Sequence, residues 1–320
     1  TLERTDPVVC EMIADQMGNF WWSDGGVGVG QFTDTRRAAR AGKDSLSGSV
    51  TEVRAIRLLE ATLAHEDPCV RLVAAKLLGN SAVDDAMLGA TLASPSERVR
   101  EAGLRAVGER DRPALRPRVE RLLADPKSEV AAMAAWALGE LEHREAVSVL
   151  RRSLLHDAPR VRAAAAWALG QIEDPLAAED LERLLGRDGD RTVRLAAVRA
   201  LGEIEATRSA QAIERVLERA MTGGAGGDLS LAIAAAEALQ QIEAPGPAPA
   251  ALVRAAEATD PDLRAAAIDA LFEYEDDALI PLFVRLVRDP SAEMRLRAIQ
   301  ALGSLGATAA IPAITRALED

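Results

Sequence analysis

Apolar residues recur along this chain at helical spacing, i, i+3, i+4, in short stretches bounded by Asp, Pro and Gly rather than in one continuous run. One phrase repeats: an Asp-Pro-like start, a Val-Arg pair, an alanine-rich stretch and Ala-Leu-Gly. Its copies run Asp67-Pro68 to Gly79, Ser94-Pro95 to Gly108, Asp125-Pro126 to Gly139, Asp157 to Gly170, Asp188 to Gly202, Asp228 to Gln240, Asp260-Pro261 to Phe272 and Asp289-Pro290 to Gly303. Their closing positions lie 29, 31, 31, 32, 38, 32 and 31 residues apart. Such a period marks a repeat array. Asp or Ser suits a helix N-cap, Pro the first helical position, and the Gly after Ala-Leu a left-handed C-cap, so each phrase predicts an A helix. A second apolar-periodic stretch follows each, as in Pro113 to Ala124, Ala146 to Leu155, Ala177 to Leu185 and Ala210 to Leu217. These predict B helices. Neither helix of a pair can bury its apolar face alone, so the hairpins must stack.

The interval from Asp6 to Gly18 matches that from Asp67 to Gly79 and predicts a degenerate opening A helix, whose B partner spans about Thr51 to Ala64. The expected architecture is all-α: a solenoid of about nine stacked hairpins. Residues 1–66 form the degenerate first repeat with an insertion at 19–50, residues 67–222 the regular repeats, and residues 223–320 the repeats after a Gly-rich insertion. The phrase Asp-Pro, Val-Arg, Ala-Leu-Gly resembles the short HEAT-like repeat of the phycobilisome-lyase type over residues 67 to 320. The resemblance implies a ladder between repeats, built from the capping Asp and the Val-Arg arginine, here Arg71, Arg100, Arg162, Arg194, Arg264 and Arg295. Ala131 and Ala232 interrupt it. It also implies that the B helices line the concave side.

The B helices share a second register. In Val119-Glu120-Arg121-Leu122-Leu123, Leu150-Arg151-Arg152-Ser153-Leu154, Leu181-Glu182-Arg183-Leu184-Leu185 and Ile213-Glu214-Arg215-Val216-Leu217, the apolar residues face the core and the arginine faces solvent. Arg254, Arg285 and Arg316 continue the series. The row Arg121, Arg152, Arg183, Arg215, Arg254, Arg285, Arg316 is a candidate groove for an acidic peptide or protein, each guanidinium offering a forked donor to a carboxylate. The competing expectation is that Glu120, Glu182 and Glu214 pair with the row and neutralise it. The insertion supplies the second candidate contact, Trp21, Trp22 and Phe32, since aromatics on a loop make interface anchors as well as caps. Trp136 and Trp167, 31 apart in Ala-Ala-Trp-Ala-Leu-Gly, read as packing between repeats.

Composition narrows the function. Of the 320 residues 48% are hydrophobic but only 3% aromatic, which favours close-packed helices, and the net charge of −12 carries no nucleic-acid footprint. No apolar run reaches the roughly 20 residues that span a bilayer. Cys10 and Cys69 are read as buried free thiols, with a single bridge in an exported protein as the alternative. A cytoplasmic chain is slightly favoured, with an exported protein or the ectodomain of a larger chain as the alternative. The glycine run from Gly25 to Gly30 lacks a phosphate-loop Gly-Lys-Ser/Thr and follows no strand. His65, His143 and His156 are scattered, with no metal-ligand spacing, and His65-Glu66 alone does not make the di-iron site of the HEAT-like deoxyhypusine hydroxylases. No catalytic residue, cofactor or metal is expected. The chain reads as a non-catalytic scaffold or regulatory subunit that binds a protein. A bilin lyase-like or chromophore-chaperone role and nucleic-acid binding are the alternatives.

Overall fold

The computed structural model describes residues 53–110, 112–222, 227–243 and 245–319; Trp21, Trp22, Phe32, Cys10 and the insertion at 19–50 lie outside them. Among the described residues there are seventeen α-helices and no strand. In chain order they are α1 (Val53–Thr62), α2 (Pro68–Gly79), α3 (Asp85–Leu92), α4 (Glu97–Gly108), α5 (Arg116–Leu122), α6 (Ser128–Glu140), α7 (Val147–Ser153), α8 (Pro159–Ile172) and α9 (Ala178–Arg187). They continue as α10 (Arg191–Glu203), α11 (Ala210–Thr222), α12 (Leu229–Ile242), α13 (Ala250–Ala255), α14 (Pro261–Phe272), α15 (Ile280–Leu286), α16 (Ala292–Ser304) and α17 (Ile311–Glu319). Even-numbered helices are the A helices and odd-numbered ones the B helices of an α-solenoid.

Two compact units divide after Ala168, within α8. In the first, α2, α4 and α6 stack in sequence, while α1 packs on α2, α3 on α4 and α5 on α6. In the second, α10, α12, α14 and α16 stack in the same way, with α9, α11, α13 and α15 each laid against its own A helix. The A helices are alanine-rich because they are enclosed from several sides. In α6 every residue from Val130 to Gly139 is buried. Small side chains let helix axes approach to about 8 Å, the lower end of the packing range.

The closing glycine of the phrase does not cap its helix, contrary to the sequence expectation. Helix α6 runs through Gly139 to Glu140, and the left-handed residue is Glu142, with φ 50°. Glu173, Glu205 and Glu243 take the same place with φ 54°, 53° and 45°, as does Gly306 with φ 61°. The bonds that close these ends run from His143 N to Leu138 O, Ala206 N to Leu201 O and Ala307 N to Leu302 O, a Schellman pattern. Gly139 answers to packing instead: a Cβ there would stand 2.7 Å from Ala168 Cα and 2.9 Å from the Trp167 ring.

The ladder arginines follow one design. Arg71, Arg100, Arg162, Arg194 and Arg295 each donate through Nη1 to the carbonyls five and six residues back, at 2.8 to 3.1 Å. The other edge of the guanidinium reaches the aspartate that opens the next repeat. Arg100 holds Asp125 at 2.8 and 3.0 Å, and Arg264 holds Asp289. Asp228 is taken at 2.9 Å by Arg191, with Arg194 at 3.9 Å. Each aspartate also accepts a backbone N–H at its helix start, as Asp125 does from Lys127 and Asp289 from Ser291. Ala131 and Ala232 are buried where the arginine is missing. Cys69 is buried at the start of α2 and is disulfide-bonded, which corrects the free-thiol expectation.

Candidate partner-binding face

The B-helix register arises from apolar anchors one turn apart. Val119 and Leu123 in the first unit, and Leu181, Leu185, Ile213, Leu217, Leu252, Phe283 and Val287 in the second, are buried against the A helices. That leaves the intervening arginine outward. Arg121 and Arg152 in the first unit are exposed, and so are Arg183, Arg215, Arg254, Arg285 and Arg316 in the second.

The acids adjacent to the row do not neutralise it as the sequence suggested. Glu120 accepts from Arg116, one turn back on α5, at 2.9 Å. Glu182 accepts from the Ser209 hydroxyl at 3.2 Å and Glu214 from the Ala251 N–H at 3.4 Å, so both tie their helix to the following hairpin. Other carboxylates partner three members of the row. Arg183 pairs with Asp180 on its own helix, Arg254 with Glu218 at 2.9 Å, and Arg285 with Glu257 at 2.6 Å. Arg183, Arg254 and Arg285 remain 56%, 52% and 59% exposed, so water screens these pairs and each holds its geometry weakly. Arg121, Arg152, Arg215 and Arg316 have no carboxylate within reach among the described residues.

At the start of the row the surface changes character. Helix α3, Asp85-Ala-Met-Leu-Gly-Ala-Thr-Leu92, carries no arginine, and Ala86, Ala90 and Ala93 form its outer surface. A shallow cleft of about 550 Å³ lies between this floor and Arg118, Arg121 and Leu122 of α5. A second, of about 530 Å³, lies towards Arg57 and Glu60 of α1. Arg57 and Arg118 are exposed cations that the sequence reading missed. The signal was present: α3 alone among the B helices replaces the long outward side chain by small ones, so its neighbours' cations overhang a recess.

Glu101, Arg105, Arg199 and Glu237, charged groups that burial perturbs, lie on the A helices, away from this face. Burial pushes the Glu101 carboxyl up and holds the Arg105 guanidinium down, and Arg105 stacks 5.2 Å over the Trp136 ring. Burial likewise raises Glu237 and lowers Arg199, which face one another across α10 and α12. These are charges held between packed helices, not acids and bases converging on a cleft. Two histidines serve as turn acceptors: His65 Nδ1 takes the Asp67 N–H at 3.1 Å and His156 Nδ1 takes the Ala158 N–H at 3.0 Å. Among the described residues no cluster of His, Cys, Asp or Glu could hold a metal ion, and no helix is long and apolar enough to cross a membrane.

The family model for HEAT repeats matches residues 85–169, 115–202, 156–239 and 248–320. Among solved structures, yeast importin-beta (Kap95p) is similar with a TM-score of 0.64 at 14% identity, over 83% of this chain and 42% of that one. An engineered protein gives 0.52 at 21% identity over 99% of this chain and 90% of that one. The complex of CpcE and CpcF of phycocyanin lyase from Nostoc sp. PCC7120 gives 0.47 at 22% identity over 73% and 95%. No curated protein matches. At these identities the similarity to solved structures concerns the fold alone, whereas the repeat model accounts for most of the sequence, so the chain belongs to the HEAT-repeat family.

Proposed function

We propose that this chain is a non-catalytic scaffold whose B-helix face binds an acidic segment of a partner protein. The observation that carries this reading is the exposed arginines of the B helices, Arg121 and Arg152 in the first unit and Arg183, Arg215, Arg254, Arg285 and Arg316 in the second; Arg121, Arg152, Arg215 and Arg316 have no carboxylate within reach among the described residues. A guanidinium held on a helix by apolar anchors on either side is oriented before a ligand arrives, so less rotamer freedom is lost on binding than for a lysine in a loop. The alanine floor of α3, overhung by Arg57, Arg118 and Arg121, supports a tighter seat within the first unit, where a helix or extended segment can approach the backbone closely. The overall charge of −12 disfavours long-range attraction of a polyanion such as DNA and favours a short acidic segment read at close range.

The reading is tested by fluorescence anisotropy with a labelled acidic peptide, alternating Glu and Leu at helical spacing, against the intact chain. Arg121→Glu combined with Arg152→Glu, both in the first unit, should weaken binding at least ten-fold while leaving thermal stability unchanged, because both side chains are exposed and unpaired among the described residues. Equal binding by the variant removes the face from consideration. Transfer of a bilin to an acceptor protein, or DNA affinity that persists at moderate salt, would move the chain to another class.

A further inference from the structure

The ladder arginines stand eight residues before the closing position of their phrase: Arg71 before Gly79, Arg100 before Gly108 and Arg264 before Phe272. From that place the side chain crosses to the start of the following A helix, as Arg100 does to Asp125 and Arg264 to Asp289. The opening phrase, Asp6-Pro7 to Gly18, puts Cys10 eight residues before its glycine, so Val9-Cys10 occupies the register of Val70-Arg71 one repeat on. The first rung therefore has a thiol in place of a guanidinium.

Its other end lies within the described residues. Cys69 sits in the first turn of α2, two residues after Asp67, whose carboxylate accepts the Cys69 N–H at 2.8 Å. It is disulfide-bonded and 9% exposed, and the sequence contains one other cysteine, Cys10. A second observation concerns the same side of α2. Trp136 and Trp167, each three residues before the closing glycine of its own phrase, reach back over the glycine of the preceding repeat: a Cβ at Gly108 would stand 2.6 Å from Trp136 Cζ3, and one at Gly139 2.9 Å from Trp167 Cζ3. Lys76 holds that position in α2 and is 2% exposed, so the side of α2 turned towards the preceding repeat is enclosed.

An ion-pair rung opens and closes freely, whereas a disulfide rung holds until a thiol exchanges with it. Cys10 and Cys69 are 59 positions apart, a span that includes the insertion at 19–50, and a bond closing a long loop removes more freedom from the open chain than one closing a short loop. We propose that Cys10 and Cys69 form a covalent first rung of the ladder and that this bond is a redox latch: oxidised, it pins residues 6–18 to the start of α2, and reduced, it releases them together with the aromatic insertion that follows. The reductant is a dithiol. One of its thiolates attacks a sulfur of the bridge, which breaks the S–S bond and forms a mixed disulfide; its second thiolate then displaces the protein sulfur, so the dithiol leaves as a disulfide and its two electrons and two protons remain on Cys10 and Cys69 as thiols. The latch is separate from the arginines of the B helices and does not depend on what they bind.

The linkage is tested on the intact chain purified in air, alkylated, denatured and digested with trypsin without reductant. Mass spectrometry should find one species joining residues 5–36 to residues 58–71, which dithiothreitol converts into the two separate peptides. Amide hydrogen exchange on the folded chain then tests the latch: dithiothreitol should speed exchange of residues 72–78 in α2 at least ten-fold and leave residues 163–172 in α8 unchanged. Cys10→Ser should do the same with no reductant present, which separates loss of the bond from any other action of the reductant. Cysteines alkylated as free thiols, a bridge joining two copies, or exchange in α2 indifferent to both treatments overturns the proposal. So does a rise that includes α8, since the bond would then hold the whole fold and not latch one repeat.

Discussion

Gly139→Ala and Gly303→Ala make the same chemical change at the same repeat position and should move stability in opposite directions. In a helix, glycine is worse than alanine by about 0.5 to 1 kcal/mol, because it surrenders more backbone freedom on folding. At Gly303 nothing lies within 4 Å of the added methyl, so that gain is unopposed and Gly303→Ala should stabilise by about 0.5 to 1 kcal/mol. At Gly139 the new Cβ stands 2.7 Å from Ala168 Cα, 2.8 Å from Ala168 Cβ and 2.9 Å from Trp167 Cζ3. Carbon atoms settle at about 3.5 to 4.0 Å, so α6 and α8 must separate by about 1 Å at that point. The obstacle is another helix's backbone and a large ring, neither of which can turn aside. Overpacking of this kind costs about 1 to 3 kcal/mol, and after the helix gain is subtracted Gly139→Ala should still lose about 1 to 2 kcal/mol. Thermal melts followed by circular dichroism should fall by about 1.5 to 3 °C for Gly139→Ala and rise by about 1 °C for Gly303→Ala. Two shifts of the same sign would refute the claim that the closing glycine serves close packing rather than helix termination.

Other consequences follow from the ladder, the helix ends and the buried acids. Arg100→Ala strands Asp125, which is 5% exposed, and should cost about 3 kcal/mol in urea unfolding, whereas Arg285→Ala, whose pair is exposed, should cost under about 1 kcal/mol. Glu205→Gly relieves a left-handed glutamate at φ 53° and should stabilise by about 1 kcal/mol; a loss would mean that the side chain does something the backbone does not reveal. Burial raises the Glu237 carboxyl above 4.5, so the folded chain holds that proton more tightly than the unfolded one. Its ionisation therefore opposes folding increasingly as pH rises above 4.5, and Glu237→Gln should gain stability relative to the parent across that rise, as read from melts between pH 4 and 7. Cys69 should resist iodoacetamide until the chain is reduced.

How much of this was legible in the sequence depends on whether the determining contact lies inside one repeat or between two. The helices and their pairing were legible, since apolar spacing, Asp-Pro starts and the 31-residue period are local signals written eight times over. The outward direction of Arg121 and its equivalents followed from the same spacing. The role of Gly139 was misread because Ala-Leu-Gly satisfies the rule for a helix C-terminus, and only the position of Ala168, 29 residues on, shows that the glycine serves a neighbour. Glu142 in the left-handed position was unreadable for the converse reason, since glutamate is not a residue that advertises that backbone. The fate of Glu120, Glu182 and Glu214 was likewise decided elsewhere: sequence adjacency suggested Arg121, Arg183 and Arg215 as their partners, yet on a helix adjacent residues point some 100° apart, and what each acid met was Arg116 one turn back or a group from the next hairpin.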